Sequence, residues 1–177
     1  MLLIDDMKAR EAEGYSYDGA EASFELLALR ALKQVPEYFE VVSFRVIVER
    51  RYNAVGELIT TSDATVKTIV DGETIISVGE GNGPVNALDH ALRKDLGKYS
   101  AFLSDLELVD YKVRILTQGT GAITRVTIES VDASGRRWTT IGVSPNIIDA
   151  SFQALFDAVV YKLVRDKAPA RSVGSVE

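Results

Sequence analysis

The sequence predicts an α+β fold of two βββα repeats, each a three-stranded antiparallel sheet plus helix, packed together and preceded by two linker helices. Three observations carry this. The hydrophobic period changes from 3.6 to 2 near residue 41, the order strand-strand-strand-helix occurs twice, and the second occurrence matches the first residue by residue. At 177 residues the chain is long enough for one domain with a real core, or two small halves sharing one.

Residues 1–13 have helical pattern, and Gly14 is a natural stop. Met1 leads into Leu2, Leu3 and Ile4 with no capping residue, so the helix reads as one entered halfway along a longer protein. Asp18-Gly19-Ala20-Glu21 has capping-box spacing and is expected to launch a second helix to about Lys33. That helix would turn Phe24, Leu27 and Ala31 to one face and end at Pro36. From residue 41, Val42, Phe44, Val46 and Val48 point one way and Ser43, Arg45 and Glu49 the other. Ala64, Val66, Thr68 and Val70 form a second alternating strand. Asp71-Gly72 then makes a two-residue hairpin turn into a strand over 74–79. Gly81-Asn82-Gly83-Pro84 opens a helix to about Leu96, with Val85, Leu88, Leu92 and Leu96 inward and proline at the first helical position.

The same order recurs. Val41 to Val46 match Leu108 to Val113 at an offset of 67, and Val66 matches Val126 at 60. Ser77-Val78-Gly79 matches Thr140-Ile141-Gly142, and Val85-Asn86-Ala87 matches Ile148-Asp149-Ala150, both at 63. The changing offset places a longer loop around residues 53–62 of the first repeat and a longer turn at Asp132–Gly135 of the second. The domain reading is a helical segment over 1–36, a two-repeat domain over 37–167 (about 37–99 and 104–167), and a disordered tail over 168–177.

Composition removes most chemistry. A net charge of −6 argues against nucleic acid, and Arg50-Arg51 and Arg136-Arg137 read as solvated strand rims. No apolar run approaches a membrane span, and no secretory leader pattern opens the chain, which leaves a cytoplasmic address. There is no cysteine, and the single histidine, His90, sits mid-helix with no second histidine to complete a metal set. Asp5-Asp6 and Asp105/Glu107 read as helix-end and loop charges, and no catalytic triad, phosphate loop or dinucleotide fingerprint appears. By itself the chain is expected to catalyse nothing.

The repeats differ at their strand-to-helix turns. The first uses Gly81-Asn82-Gly83-Pro84, the second Ser144-Pro145-Asn146-Ile147. Such a turn presents backbone N–H groups and the positive end of a helix dipole, which suits a carboxylate. The glycines either admit a ligand to the backbone or merely make a tight turn. The second repeat's helix, from Ile147 to Leu163, is apolar more than halfway round. That surplus calls either for another subunit or for deeper burial within the chain.

Several segments resemble a known family. Gly14-Tyr15-Ser16-Tyr17-Asp18-Gly19-Ala20-Glu21 and the following residues to Leu27 resemble the segment after the catalytic barrel of bacterial citramalate synthases. Gly81-Asn82-Gly83-Pro84-Val85-Asn86-Ala87 is similar to a signature of the regulatory domain shared with 2-isopropylmalate synthases. Asp110 to Arg114 and Asn146 to Ser151 look like that domain's second repeat. The resemblance implies a dimeric regulatory domain that binds isoleucine, or leucine, as feedback inhibitor of an attached acetyl-CoA-dependent enzyme. The catalytic TIM barrel, with its divalent metal, would precede residue 1. No cofactor is implied for this segment itself, and no catalytic residue carries over. The resemblance places the effector against Gly81, Asn82, Gly83, Pro84, Val85 and Leu88 on one wall and Pro145, Asn146 and Ile147 on the other. A dimerisation module without a ligand is the remaining reading.

Overall fold

A computed structural model describes residues 2–117, 119 and 121–172. The elements are α1 (Leu2–Glu13), α2 (Glu21–Ala31), β1 (Glu40–Tyr52), β2 (Leu58–Val70), β3 (Glu73–Gly81), α3 (Pro84–Lys94), α4 (Ser100–Leu103), β4 (Glu107–Ile115), β5 (Thr124–Val131), β6 (Arg137–Ser144) and α5 (Ile147–Arg165). The fold is α+β, with two antiparallel sheets ordered β1-β2-β3 and β4-β5-β6, each followed by a helix. The chain divides into two compact units. One holds residues 37–101 and the chain from Pro169, and the other holds the N-terminal helices with residues 102–168.

In the first-repeat unit, Ala64, Val66, Thr68 and Val70 bury the helix side of β2 against Ala87, Leu88, Ala91 and Leu92 of α3. The helix approaches closely because β3 carries Gly79, where a Cβ would overlap the Ala91 amide and the Ala87 carbonyl. The other unit uses the same device, since a Cβ on Gly142 would overlap the Ala150 carbonyl. The matched glycines are thus fixed by backbone contact, not by turn geometry. Asp71 (φ 50°) and Gly72 (φ 83°) form the predicted two-residue hairpin, both left-handed as that turn demands.

The repeat extends to its irregularities. The β1–β2 register shifts between Val41 and Ser43, and the β4–β5 register shifts between Leu108 and Asp110, the equivalent place. The bulge corrects the expected alternation. Phe44, Val46 and Val48 lie opposite Val66, Ala64 and Ser62 on the helix side, whereas Val42 sits within the bulge, 46% exposed. A second correction concerns the extra length of the first repeat. It is not loop: β1 and β2 have 13 residues each against 9 and 8 in β4 and β5, and the turn spans only Asn53 to Glu57.

In the second-repeat unit one sheet face is covered and the other covered in part. α5 lies on one, and on the other Ala20, Tyr15 and Tyr17 pack with Ile123, Ile141 and Val143. The expected capping box does not form. Ala20 is the N-cap of α2 with no side-chain bond, and the Glu21 carboxylate instead accepts from the Thr139 amide at 3.1 Å. Ser23 Oγ and Gln153 Oε1 accept from the Ile141 and Val143 amides, so three outward N–H groups of edge strand β6 are closed by side chains. On β3, Lys94 and His90 similarly occupy the Val78 and Glu80 carbonyls.

The buried stripe of α2 is Ala22, Ser23, Leu26 and Leu27, with Phe24 39% exposed, and it packs on α5. This settles the apolar surplus of α5. Phe152, Leu155, Ala158, Val159 and Leu163 are all buried within this unit, between β5, β6 and α2. At the helix's far end Lys162, 4% exposed, pairs with Asp105, Asp132 and Asp166. Burial alone would raise the Asp132 pKa. Hydrogen bonds from Ser134, Arg136 and Lys162 outweigh it and hold the carboxyl well below the ordinary range. Arg136, expected as a solvated rim, belongs to this network through Asp132 and Asp166.

The tail expected to be disordered from Ala168 is held as far as Ser172; residues 173–177 lie outside the described residues. Tyr99 donates to the Pro169 carbonyl, Lys98 to that of Ala170, and the Ser172 amide to Asp71.

Candidate functional site

The β3–α3 turn is built on two glycines with different reasons. A Cβ at Gly81 would stand 2.5 Å from the Ala87 amide nitrogen and from Asn86 Oδ1, so helix and strand leave no room for a side chain. Gly83 is the N-cap, with an extended backbone (φ −159°, ψ 170°) that any residue adopts, and nothing among the described residues lies within 4 Å of where its Cβ would be. Pro84 follows at the first helical position and has no N–H. The Val85 and Asn86 amides, next in the first turn, have no side-chain cap and no partner among the described residues. The first intrahelical bond runs from the Ala87 amide to the Gly83 carbonyl at 3.0 Å. Two adjacent N–H groups therefore face the open space beside Gly83.

The turn is braced from behind. His90 Nδ1 lies 2.8 Å from the Glu80 carbonyl oxygen, which can only accept, so Nδ1 carries the proton. His90 Nε2 then accepts from Asn86 Nδ2 at 3.3 Å, and Asn86 Oδ1 accepts from the Asn82 amide at 3.2 Å. One histidine thus fixes the orientation of Asn86, and Asn86 fixes the turn. In sequence His90 stands only as a lone mid-helix histidine that completes no metal set. The i, i+4 spacing of Asn86 and His90 was the signal that could have found this brace.

The second turn is different. Asn146 is the N-cap of α5, and its Oδ1 accepts from the Ile148 and Asp149 amides at 2.9 and 3.2 Å. The Asn146 amide itself donates to Ser144 Oγ. The dipole end that α3 leaves open is closed at α5 by the chain's own side chain.

Gly81, Gly83, Pro84 and Val85 are half-buried around the first turn, and Asn82 is exposed. Leu88 is fully buried in the core, so it supports the turn from beneath and reaches no surface. Pro145, Asn146 and Ile147 are exposed, and they belong to the other compact unit. Among the described residues no group of three His, Asp or Glu side chains could hold a metal ion, and no helix is long and apolar enough to cross a membrane.

Residues 18–163 match the family model for the LeuA allosteric (dimerisation) domain. The chain is 50% identical over 163 residues to an (R)-citramalate synthase of Geobacter sulfurreducens, covering 91% of this chain and 30% of that protein. It is 46% identical over 167 residues to an (R)-citramalate synthase of Aquifex aeolicus, with 93% and 31% covered. A 2-isopropylmalate synthase of Ruminiclostridium cellulolyticum is 31% identical over 125 residues, with 71% and 22% covered. The chain thus spans about a third of the length of the curated relatives it matches.

Proposed function

Because the chain belongs to the LeuA allosteric (dimerisation) domain family, we propose that it is the regulatory domain of an acetyl-CoA-dependent (R)-citramalate synthase and binds isoleucine as feedback inhibitor. The keto acid condensed by the attached catalytic domain would be pyruvate, in the cytoplasm, with a divalent metal held by that domain. Citramalate synthases are favoured over 2-isopropylmalate synthases by higher identity over more of the chain.

The observation that carries the effector reading is the open N-terminus of α3. Its Val85 and Asn86 amides are braced by Asn86 and His90 and face free space beside Gly83, an arrangement that suits a carboxylate. Val85 offers the aliphatic contact there. Thermal melting with isoleucine, leucine and alanine tests it. A saturating effector at a hundredfold excess over Kd adds about 2.7 kcal/mol of stability, which for a domain of this size is a shift of roughly 5–11 °C. Isoleucine should give the largest shift and alanine almost none. A larger leucine shift would move the reading to 2-isopropylmalate synthase, and no shift with an intact dimer would leave dimerisation alone.

The dimer does not use α5, whose apolar face is consumed internally. Edge strands β3 and β6 are closed by side chains, which leaves β1 and β4. Their helix-side residues Val48 and Ile115, at equivalent places in the two repeats, are 54% and 67% exposed, and Val113 beside Ile115 is 41% exposed. A second copy of the chain is the partner we propose for these strands.

A further inference from the structure

The face of the second sheet turned away from α5 carries a cluster of positive charge that the effector reading does not use. Lys112 and Arg114 on β4 stand directly opposite Thr127 and Arg125 on β5, on the same face. Two arginines are therefore cross-strand neighbours, an arrangement that destabilises a sheet unless something neutralises it. Lys112 has its counter-charge in Asp110 at 2.9 Å. Neither arginine has an acidic partner among the described residues, in a chain of net charge −6. The two guanidiniums open onto a cleft of about 580 Å³, whose far wall is Ser16 and Asp18 from the segment before α2.

Arg125 is half-buried, and its Nε donates to the Gly14 carbonyl at 2.7 Å. That bond fixes the fork and leaves its terminal amino groups for the cleft. Burial, and then the charge of Arg114, lower the Arg125 pKa from its ordinary value, the mark of a cation held without a counter-ion.

We propose that this cleft binds a small phosphate monoester, with the phosphate held between the guanidiniums of Arg114 and Arg125. Planar forks match the oxygens of a phosphate or a carboxylate. The choice between them rests on donor count. Two forks with the hydroxyls of Ser16 and Thr127 offer more donors than a two-oxygen carboxylate accepts, and a monoester presents three peripheral oxygens. The cleft is larger than a bare phosphate needs and has room for a small organic group beside it. Asp18 is the one anionic group in its wall among the described residues and opposes the ligand's charge.

The test uses the 177-residue chain, with inorganic phosphate and glycerol phosphate as probes and sodium chloride at matched ionic strength as control. Arg114 is exposed, so Arg114→Gln should fold. Without phosphate this variant should melt higher than the parent, because it removes the like-charge pair. In phosphate the order should reverse, because the variant binds roughly tenfold or more weakly for want of a charge-assisted pair. Asp18→Asn should bind both probes more tightly, a gain that misfolding cannot produce. Gly83→Asp should leave the phosphate response unchanged, which separates this site from the isoleucine turn. Equal phosphate responses from the parent and Arg114→Gln would overturn the proposal, as would a parent shift reproduced by chloride alone. An isoleucine response abolished by Arg114→Gln, with none to phosphate, would overturn it too and move the amino acid into this cleft.

Discussion

Replacing Gly83 by aspartate tests the open helix terminus most directly, because structure and binding should move in opposite directions. The backbone at residue 83 is extended and the space beyond it empty, so the aspartate meets no steric obstacle. It also occupies the N-cap of α3, where its carboxylate can take the Val85 and Asn86 amides as Asn146 takes those of α5. Aspartate in place of glycine at an N-cap gains a few tenths of a kcal/mol, so the unliganded variant should melt about 1 °C higher, not lower. The effector faces the same two amides already satisfied and a carboxylate where its own should sit. Each lost charge-assisted hydrogen bond is worth about 1.5–3 kcal/mol, so loss of both weakens binding by about a hundredfold or more. At a concentration that saturates the parent a hundredfold, the variant's gain falls to about 0.4 kcal/mol, near 1 °C. Scanning calorimetry with and without isoleucine reads both effects in one experiment. An undiminished isoleucine shift in the variant would refute the assignment of the carboxylate to this turn. Unfolding of the unliganded variant would refute the account of residue 83 itself.

Five further substitutions test the packing and the proposed dimer. Phe152→Asp should unfold the second-repeat unit, because it places an unpaired charge in an internal core, whereas Ile115→Asp should leave a folded monomer; circular dichroism with light scattering distinguishes them. Gly142→Ala should cost several kcal/mol through overlap with the Ala150 carbonyl, and Gly83→Ala should lie within about 1 kcal/mol of the parent in urea melts. Asp132 and Asp166 are held below their ordinary pKa in the folded chain, so the stability they supply is fully present above the unfolded carboxylate pKa. It is lost as pH falls through the folded values. Melting points taken from pH 7 down to pH 3 should therefore fall less steeply in Asp132→Asn than in the parent, though from a lower start.

The duplicated architecture was legible in the sequence because a strand's alternation and a helix's period survive in one dimension. The bulge was not legible, since Val42 and Val109 continue the alternation of Phe44 and Tyr111 in sequence and only the register shift takes them out of it. Non-local partners left no such trace. The apolar surplus of α5 was visible, but nothing local in 147–163 says that α2 absorbs it from more than a hundred residues upstream. The capping-box spacing of Asp18 and Glu21 was a true local signal overridden by a distant one, the unpaired Thr139 amide on the edge of β6. At the turn, the residues were legible and their division of labour was not. Gly81 and Gly83 look alike in sequence and differ only in what stands beside them.

A single side chain closes one of the two helix termini and leaves the other open. Gene duplication of a βββα unit copies its helix terminus, so a chain of two units starts with two equivalent places for an anion. Asn146 occupies one of them permanently. On the proposed effector reading the binding stoichiometry is thereby halved, to one effector for each protomer and two for a dimer. A calorimetric titration should saturate at that ratio, and Asn146→Gly, by uncovering the Ile148 and Asp149 amides, is the change expected to raise it. Saturation at two per protomer in the unaltered chain would show that the asparagine does not close its turn.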